Sequence, residues 1–175
     1  ITNKNLKSLM VKQELALPKD VLQAVIMDIG NYNKFLRNSE SFVSIEIKKT
    51  DTFIDGYQFI PIDVPFFDSR EYIFRMLPSG YRKEDNTSII HWFLLDKDVA
   101  LLDNDGNSAT YLNYGAGLWI AEKKGQDKTL FSYRIYMDPG GSLPDFLIDM
   151  INKTSVINIF KDAISEAQKR HSKSY

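Results

Sequence analysis

One long stretch of the chain, residues 43–137, carries strand patterns that follow one another with no helical pattern between them. At its start, Val43, Ile45 and Ile47 alternate with polar residues, which places apolar side chains on one face of a strand. The further strand patterns cover residues 52–62, 70–77, 88–95, 111–121 and 128–137. Short links join antiparallel neighbours, whereas parallel strands need long crossovers, so this order predicts an antiparallel sheet.

Two helical patterns flank this stretch. Residues 9–17 alternate as one further strand, and Pro18 then begins a short helix at a position where its missing N–H costs nothing. Tyr32, Phe35 and Leu36 predict a second short turn of helix, so short helices follow the first strand. Near the end of the chain, Ser142 can cap a long helix whose apolar residues form one stripe up to about residue 170. The sequence therefore predicts an α+β fold, in which a curved antiparallel sheet of about six to seven strands wraps around the long C-terminal helix.

The composition narrows the class of protein. The 175 residues include 22 Lys and Arg against 23 Asp and Glu, so the chain lacks the basic excess that is typical of a nucleic-acid-binding protein. It has no Cys and two His, which excludes disulfides, thiolate sites and a His-rich metal centre. The sequence contains no nucleophile elbow, zinc-protease motif or phosphate loop. We therefore predict no catalytic residue, no metal, no cofactor and no nucleic-acid partner.

Neither a repeat nor a linker interrupts the chain, which predicts a single domain over residues 1–175. No apolar run reaches the length of about 18 residues that a transmembrane helix needs, so we expect a soluble protein. Its compartment stays open between the cytoplasm and a bacterial periplasm, because a chain without Cys is compatible with both.

Three local patterns resemble the START (steroidogenic acute regulatory-related lipid transfer) family, which has the helix-grip fold of the Bet v 1-like superfamily. The first runs from Leu17-Pro18-Lys19-Asp20-Val21-Leu22 to Tyr32. The second is residues 64–72, where the family's Arg-Asp pair is Arg70-Glu71 here. The third is Asp138-Pro139-Gly140-Gly141-Ser142-Leu143-Pro144. The patterns span nearly the whole chain in the family's order, although a full START domain has a further N-terminal helix and strand that we expect to be missing.

The resemblance implies that the chain binds a lipid or another hydrophobic small molecule in an internal cavity, to shield it or carry it between membranes. Transient membrane contact is then expected. Two alternatives stay open: a cyclase- or aromatase-like enzyme of the same superfamily, which would use Arg70 and His91 to polarise carbonyls, and a filled-core interaction domain. Some sterol-binding members carry a buried acid and an arginine at positions that fall at Tyr57 and Met76 here, which disfavours a sterol ligand.

Strand alternation gives the first candidates for the ligand site. If Arg70 points inward, so do Tyr72, Phe74 and Met76, and these would offer one charge for a polar head among large apolar groups. The structural alternative is an ion pair of Arg70 with Asp63, Asp68 or Glu71 beside a packed aromatic core. The family resemblance implies that the long C-terminal helix covers the cavity as a lid, which adds residues of that helix to the candidates. The full predicted set is Tyr57, Phe59, Arg70, Tyr72, Phe74, Met76, His91, Phe93, Tyr114, Leu118, Phe131, Tyr133, Phe146, Met150, Thr154 and Ile157.

A loop over residues 96–106 contains four consecutive apolar residues, which is unusual in an exposed loop. They are Val99, Ala100, Leu101 and Leu102. One interpretation is a mobile gate over the cavity mouth that touches a membrane. The other is a loop that packs these residues into the core or extends a strand.

Overall fold

The computed structural model describes residues 8–37, 42–62, 65, 67–82, 86–97, 109–140 and 145–173, with side chains for all of these except residues 79–82 and 145–152. In chain order the strands are β1 (Leu9–Leu15), β2 (Val43–Lys49), β3 (Ile54–Ile60), β4 (Ser69–Arg82), β5 (Thr87–Leu94), β6 (Ala109–Tyr111), β7 (Gly115–Lys123) and β8 (Thr129–Met137). The helices are α1 (Lys19–Ile26), a 3₁₀ turn (Ile29–Asn31), α2 (Tyr32–Phe35) and α3 (Asp145–Ser172).

The strands form one sheet in the order β1-β8-β7-β5-β4-β3-β2, and every neighbouring pair along this path is antiparallel. This architecture confirms the predicted α+β class, with a curved antiparallel sheet and a long C-terminal helix. The predicted strand over residues 111–121 is divided in two. Its beginning belongs to β6, which pairs in parallel with the start of β4. Leu112, the residue after β6, donates its main-chain N–H to the main-chain carbonyl of Glu71. The rest of the predicted strand belongs to β7, which begins at Gly115.

The register between strands decides which side chains face the helices. Tyr72 of β4 lies opposite Gln58 of β3, and Trp92 of β5 lies opposite Gly117 of β7. Because side chains alternate along a strand, these residues and every second neighbour share one face of the sheet, which we call the inner face. The opposite face, called the outer face below, carries His91.

Helices α1 and α3 cover the inner face and pack against each other. Helix α1 begins directly after Pro18, as the sequence predicts, and buries three apolar residues at helical spacing. Helix α3 contributes Phe160, which stacks on Phe131 with ring centroids 5.2 Å apart, and the small Ala163 and Ala167. The core therefore lies between the sheet and these two helices. In the described part of the chain, no helix combines the length and the apolar character that crossing a membrane demands.

Two ionic contacts anchor the C-terminal half of α3. Asp162 accepts hydrogen bonds from the main-chain N–H of Arg37 at 2.9 Å and from its guanidinium at 2.7 to 3.1 Å. One turn from the end of the helix, Arg170 donates to Asp28 at 2.7 Å and to Glu166 at 2.8 Å. These contacts tie the helix to the segment around α2.

We expect Asp162→Ala to lower the free energy of unfolding by about 2 kcal/mol, because the variant loses the charge-assisted hydrogen bonds that the nearly buried carboxylate accepts from the main-chain N–H and the guanidinium of Arg37. Urea unfolding followed by tryptophan fluorescence measures the change. Glu14→Ala is the matched control, since Glu14 pairs with Lys128 at 3.6 Å between two well-exposed side chains, and a change within about 0.5 kcal/mol is expected there. Equal losses in the two variants would contradict the anchoring role of Asp162.

Candidate ligand-binding site

A hollow of about 60 Å³ lies between the inner face of the sheet and the helical layer. Its lining comes from strands β3, β4, β5, β7 and β8, from α2 with Leu36 after it, from Phe42 directly before β2, and from α3. The lining residues are Tyr32, Leu36, Phe42, Gln58, Ile60, Tyr72, Phe74, Met76, Trp92, Trp119, Tyr133 and Ile159. The wall is thus almost entirely aromatic and aliphatic.

Two glycines make room for two aromatic rings of this wall. A Cβ built on Gly56 would lie 2.7 Å from Cζ of Phe74, and one built on Gly117 would lie 2.5 Å from Nε1 of Trp92. Each ring therefore occupies the space next to a strand position that has no side chain. Glycine inside a strand often marks such a close approach.

Polar groups form a short hydrogen-bonded chain at one side of the hollow. The hydroxyl of Tyr72 donates to Oε1 of Gln58 at 2.5 Å, and Nε2 of Gln58 donates to Oγ of Ser44 at 3.3 Å. Ser44 in turn donates to the carbonyl of Ile29 at 3.1 Å, and Tyr32 donates to the carbonyl of Ile26 at 2.5 Å. This chain joins strands β4, β3 and β2 to the helical segment through neutral groups alone.

The tyrosines of the hollow stay neutral. The pKa values of Tyr32, Tyr72 and Tyr133 are raised above the ordinary tyrosine value, mainly because the three hydroxyls are buried. The Trp92 indole acts against this at Tyr133, because its hydrogen bond to the hydroxyl lowers that pKa. A neutral phenol donates one hydrogen bond and accepts others, so the three hydroxyls provide orienting groups without charge.

These shifts predict alkaline unfolding. The three buried tyrosines keep their protons in the folded chain, while in the unfolded chain they ionise near pH 10, so the stabilisation is complete below pH 10 and is lost as the pH rises above it. Each one contributes a decrease of about 1.4 kcal/mol per pH unit in that window. Urea midpoints measured from pH 9 to 12 should fall accordingly, and Tyr133→Phe should flatten the slope by about one third. An unchanged slope in this variant would show that other groups control alkaline unfolding.

Four predicted ligand-binding residues line the hollow: Tyr72, Phe74, Met76 and Tyr133. Phe131 lies on the same face but is fully buried in a stack between Trp119 and Phe160, so it is a packed core residue.

Six residues that were predicted to line the interior lie elsewhere, so that prediction of their position is wrong. Tyr57, Phe59, His91, Phe93 and Leu118 are on the outer face, since their cross-strand partners and the alternation of β3, β5 and β7 place them there. Tyr114 lies in the link between β6 and β7 and is 70% exposed.

Arg70 is on the inner face, but its guanidinium is occupied by main-chain carbonyls. It donates to Pro139 at 2.6 Å, to Asp68, to Ser69 at 3.3 Å and to Gly140 at 3.4 Å. Burial lowers the pKa of Arg70, and the charge of Asp68 opposes that shift. The structure thus gives Arg70 a structural role at the turn before α3, in place of the predicted contact with a ligand head group.

Of the other proposed partners of Arg70, Glu71 is on the outer face. It accepts a hydrogen bond from Tyr57 at 3.1 Å and pairs with Lys97 at 3.7 Å. Burial, followed by this hydrogen bond, raises the pKa of Tyr57 to about 12. Asp63 lies outside the described residues.

The predicted lid is described in part. Ile157 is half-buried without lining the hollow, and Thr154 is exposed. The side chains of Phe146 and Met150 lie outside the described residues, as does the whole predicted gate of Val99, Ala100, Leu101 and Leu102.

Several lining residues were absent from the predicted set, chiefly Tyr32, Gln58, Trp92, Trp119 and Ile159. Gln58 had a readable signal, because it shares its strand face with Gly56 and Ile60 and is the one polar side chain among them. Trp119 had another signal, since it is a large ring two residues after the glycine-containing strand segment Gly115-Ala116-Gly117.

Comparisons with known proteins agree with this architecture. No protein-family model matches the sequence, and no curated protein matches it at a significant level. Among solved structures, a STAR-related lipid transfer protein fragment from Xanthomonas axonopodis has a TM-score of 0.77 at 16% identity, over 96% of this chain and 89% of that one. Human STARD10 has a TM-score of 0.70 at 17% identity, over 99% of this chain and 71% of that one.

A further similar structure is the Zhui aromatase/cyclase from Streptomyces sp. R1128, with a TM-score of 0.69 at 12% identity, over 95% of this chain and 96% of that one. The fold is therefore shared by proteins named for lipid transfer and by a protein named as an enzyme. These similarities confirm, at the level of the fold, the resemblance that the sequence patterns indicate: the chain has the helix-grip fold of START-type domains.

Proposed function

We propose that the chain binds an uncharged lipid or another hydrophobic small molecule between the inner face of the sheet and α3, to shield it or carry it between membranes. The observation that carries this proposal is the lining of the hollow, which combines aromatic and aliphatic walls with a neutral hydrogen-bonding chain. Proteins named for lipid transfer share the fold, which supports the same interpretation.

The lining favours one class of ligand. None of the described lining residues is charged, and Arg70 donates to main-chain carbonyls instead of facing the hollow. A charged head group would lose its hydration there without a compensating partner. A ligand with a hydroxyl or carbonyl oxygen could instead exchange hydrogen bonds with Gln58 and Tyr72. Burial of its apolar area would contribute about 25 cal/mol per Å².

The size of the hollow requires movement on binding. A volume of about 60 Å³ is far below that of a typical ligand pocket, which is about 300 to 1,000 Å³. Because Asp162 and Arg170 hold the C-terminal half of α3, we expect the hollow to open by displacement of the part of α3 that precedes Asp162.

A filled-core interaction domain is the second candidate, and the small volume of the hollow is the observation that favours it. The cyclase alternative has weaker support in the site, since His91 is on the outer face and Arg70 does not line the hollow.

Extraction tests the two candidates. The protein is purified without detergent and extracted with organic solvent, and the extract is analysed by mass spectrometry; in parallel, the emptied protein is incubated with neutral-lipid vesicles. We expect recovery or uptake of an uncharged hydrophobic molecule approaching one per chain. Absence of both recovery and uptake would contradict ligand binding and favour the filled-core domain.

A further inference from the structure

A second concave region lies on the outer face, away from the hollow. It is a groove of about 670 Å³ across β1, β8, β7 and β5. Cross-strand pairing sets a row of side chains along it, because Met10 and Leu118 both lie opposite Arg134 and His91 lies opposite Leu118. The groove is shallow and open to solvent, so it can cover one side of a small ligand.

The walls of this groove are apolar and exposed. Met10 is 54% exposed, Tyr136 is 44% exposed and Phe93 is 37% exposed. The rings of His91 and Phe93 are nearly parallel, with an interplanar angle of 20° and centroids 6.5 Å apart. Contiguous exposed apolar side chains of this kind mark a binding surface, and the aromatic rings can pack against an apolar or aromatic group.

Arg134 is the charge at the centre of the groove. It is exposed, and within the described residues no carboxylate lies within 4.0 Å of its guanidinium. The described carboxylates on the outer face of β1 and β7, Glu14 and Glu122, are opposite Leu130, about 13 Å along β8. Each of them pairs with a lysine, so they do not neutralise Arg134.

We propose that the outer groove binds a small planar amphipathic carboxylate, with its carboxylate on Arg134 and its ring against Phe93, His91 and Leu118. Arginine matches a carboxylate with two parallel hydrogen bonds, which fixes the orientation of the ligand as well as adding affinity. The proposal is independent of the proposed function, since the groove and the hollow are on opposite faces of the sheet.

The test uses 1-naphthaleneacetate as the probe and 1-naphthaleneacetamide as its uncharged analogue. NMR titration of the methyl groups should show shifts at Met10 and Leu118 with the acetate. The amide should bind at least about tenfold more weakly. Arg134→Met should weaken binding of the acetate to the level of the amide and leave the amide unaffected. Lys12→Met is the matched control. Lys12 is a cation on the outer face of β1, opposite Ser132, and it does not line the groove. Its substitution should change the affinity for the acetate less than about twofold.

Four results would overturn the proposal. They are absence of binding at about 10 mM 1-naphthaleneacetate, equal weakening by the Arg134 and Lys12 variants, methyl shifts at Met76 and Ile159 of the hollow instead of the groove, and a dimer in analytical ultracentrifugation that Leu118→Asp dissociates. The last would assign the groove to a second copy of the chain. Extraction of a hydrophobic molecule from the hollow is measured separately, so the two proposals can fail independently.

Discussion

Replacing Gly117 with valine is expected to lower the free energy of unfolding by about 3 kcal/mol, the upper end of the usual cost of overpacking a core. A Cβ at this position would lie 2.5 Å from Nε1 and 2.6 Å from Cε2 of Trp92. The indole cannot move away without loss, because it is buried in the wall of the hollow that it forms with Tyr133, whose ring is stacked on Trp119 at 3.8 Å. Urea unfolding followed by far-ultraviolet circular dichroism measures the loss independently of the tryptophans.

Gly125→Val is the matched control for this change. Gly125 lies in the link between β7 and β8, where the nearest atom to an added Cβ is Cβ of Lys128 at 3.7 Å, an ordinary contact. We expect a loss below about 1 kcal/mol, from conformational preference alone. If both valines cost the same, close approach of the Trp92 indole would not be the reason for glycine at 117.

The succession of strands along the chain was predictable because it depends on local signals. Residues 43–137 alternate in short segments that are separated by turn residues, and the amphipathic α3 follows them. Local alternation was also sufficient for β4, where it placed Tyr72, Phe74 and Met76 together on one face, and all three line the hollow. Where one face of a strand is clearly apolar, the inner residues follow from the sequence.

Strand β5 shows where such reasoning fails. Its residues 89–93 are apolar or aromatic on both faces, so the sequence gives no contrast between His91 and Phe93 on one side and Ile90 and Trp92 on the other. The choice depends on register with β4 and β7, which is a long-range property. Gly117 is the signal that could have shown which face of β5 is the inner one. Trp92 lies opposite Gly117, and its ring fills the space that a side chain at position 117 would need.

Arg70 illustrates a different limit. Alternation predicted its face correctly, but its partners are the carbonyls of Pro139 and Gly140, about 70 residues away along the chain. Only the folded chain brings the start of β4 next to the turn before α3. The sequence can therefore predict that a buried arginine needs hydrogen-bond partners. It cannot predict which groups those partners are.

Replacing Ile159 with tryptophan is expected to reduce the hydrophobic ligand recovered by extraction at least about tenfold, because the indole would occupy space that the ligand needs. Ile159 is the described residue of α3 that lines the hollow, and the hollow has a volume of about 60 Å³. A larger ring there would also pack against the aromatic wall formed by Trp119 and Tyr133, which should limit the loss of stability.

Ile157→Trp is the matched control, since Ile157 is a half-buried isoleucine on the same helix that does not line the hollow. It should retain the ligand load of the unmodified chain. Thermal unfolding midpoints of both variants establish that the chain is folded during extraction. A full ligand load in a folded Ile159→Trp variant would mean that the molecule is held somewhere other than between the sheet and α3. Loss of ligand in both variants would mean that any large substitution on α3 prevents binding. The result would then give no support to the hollow as the binding site.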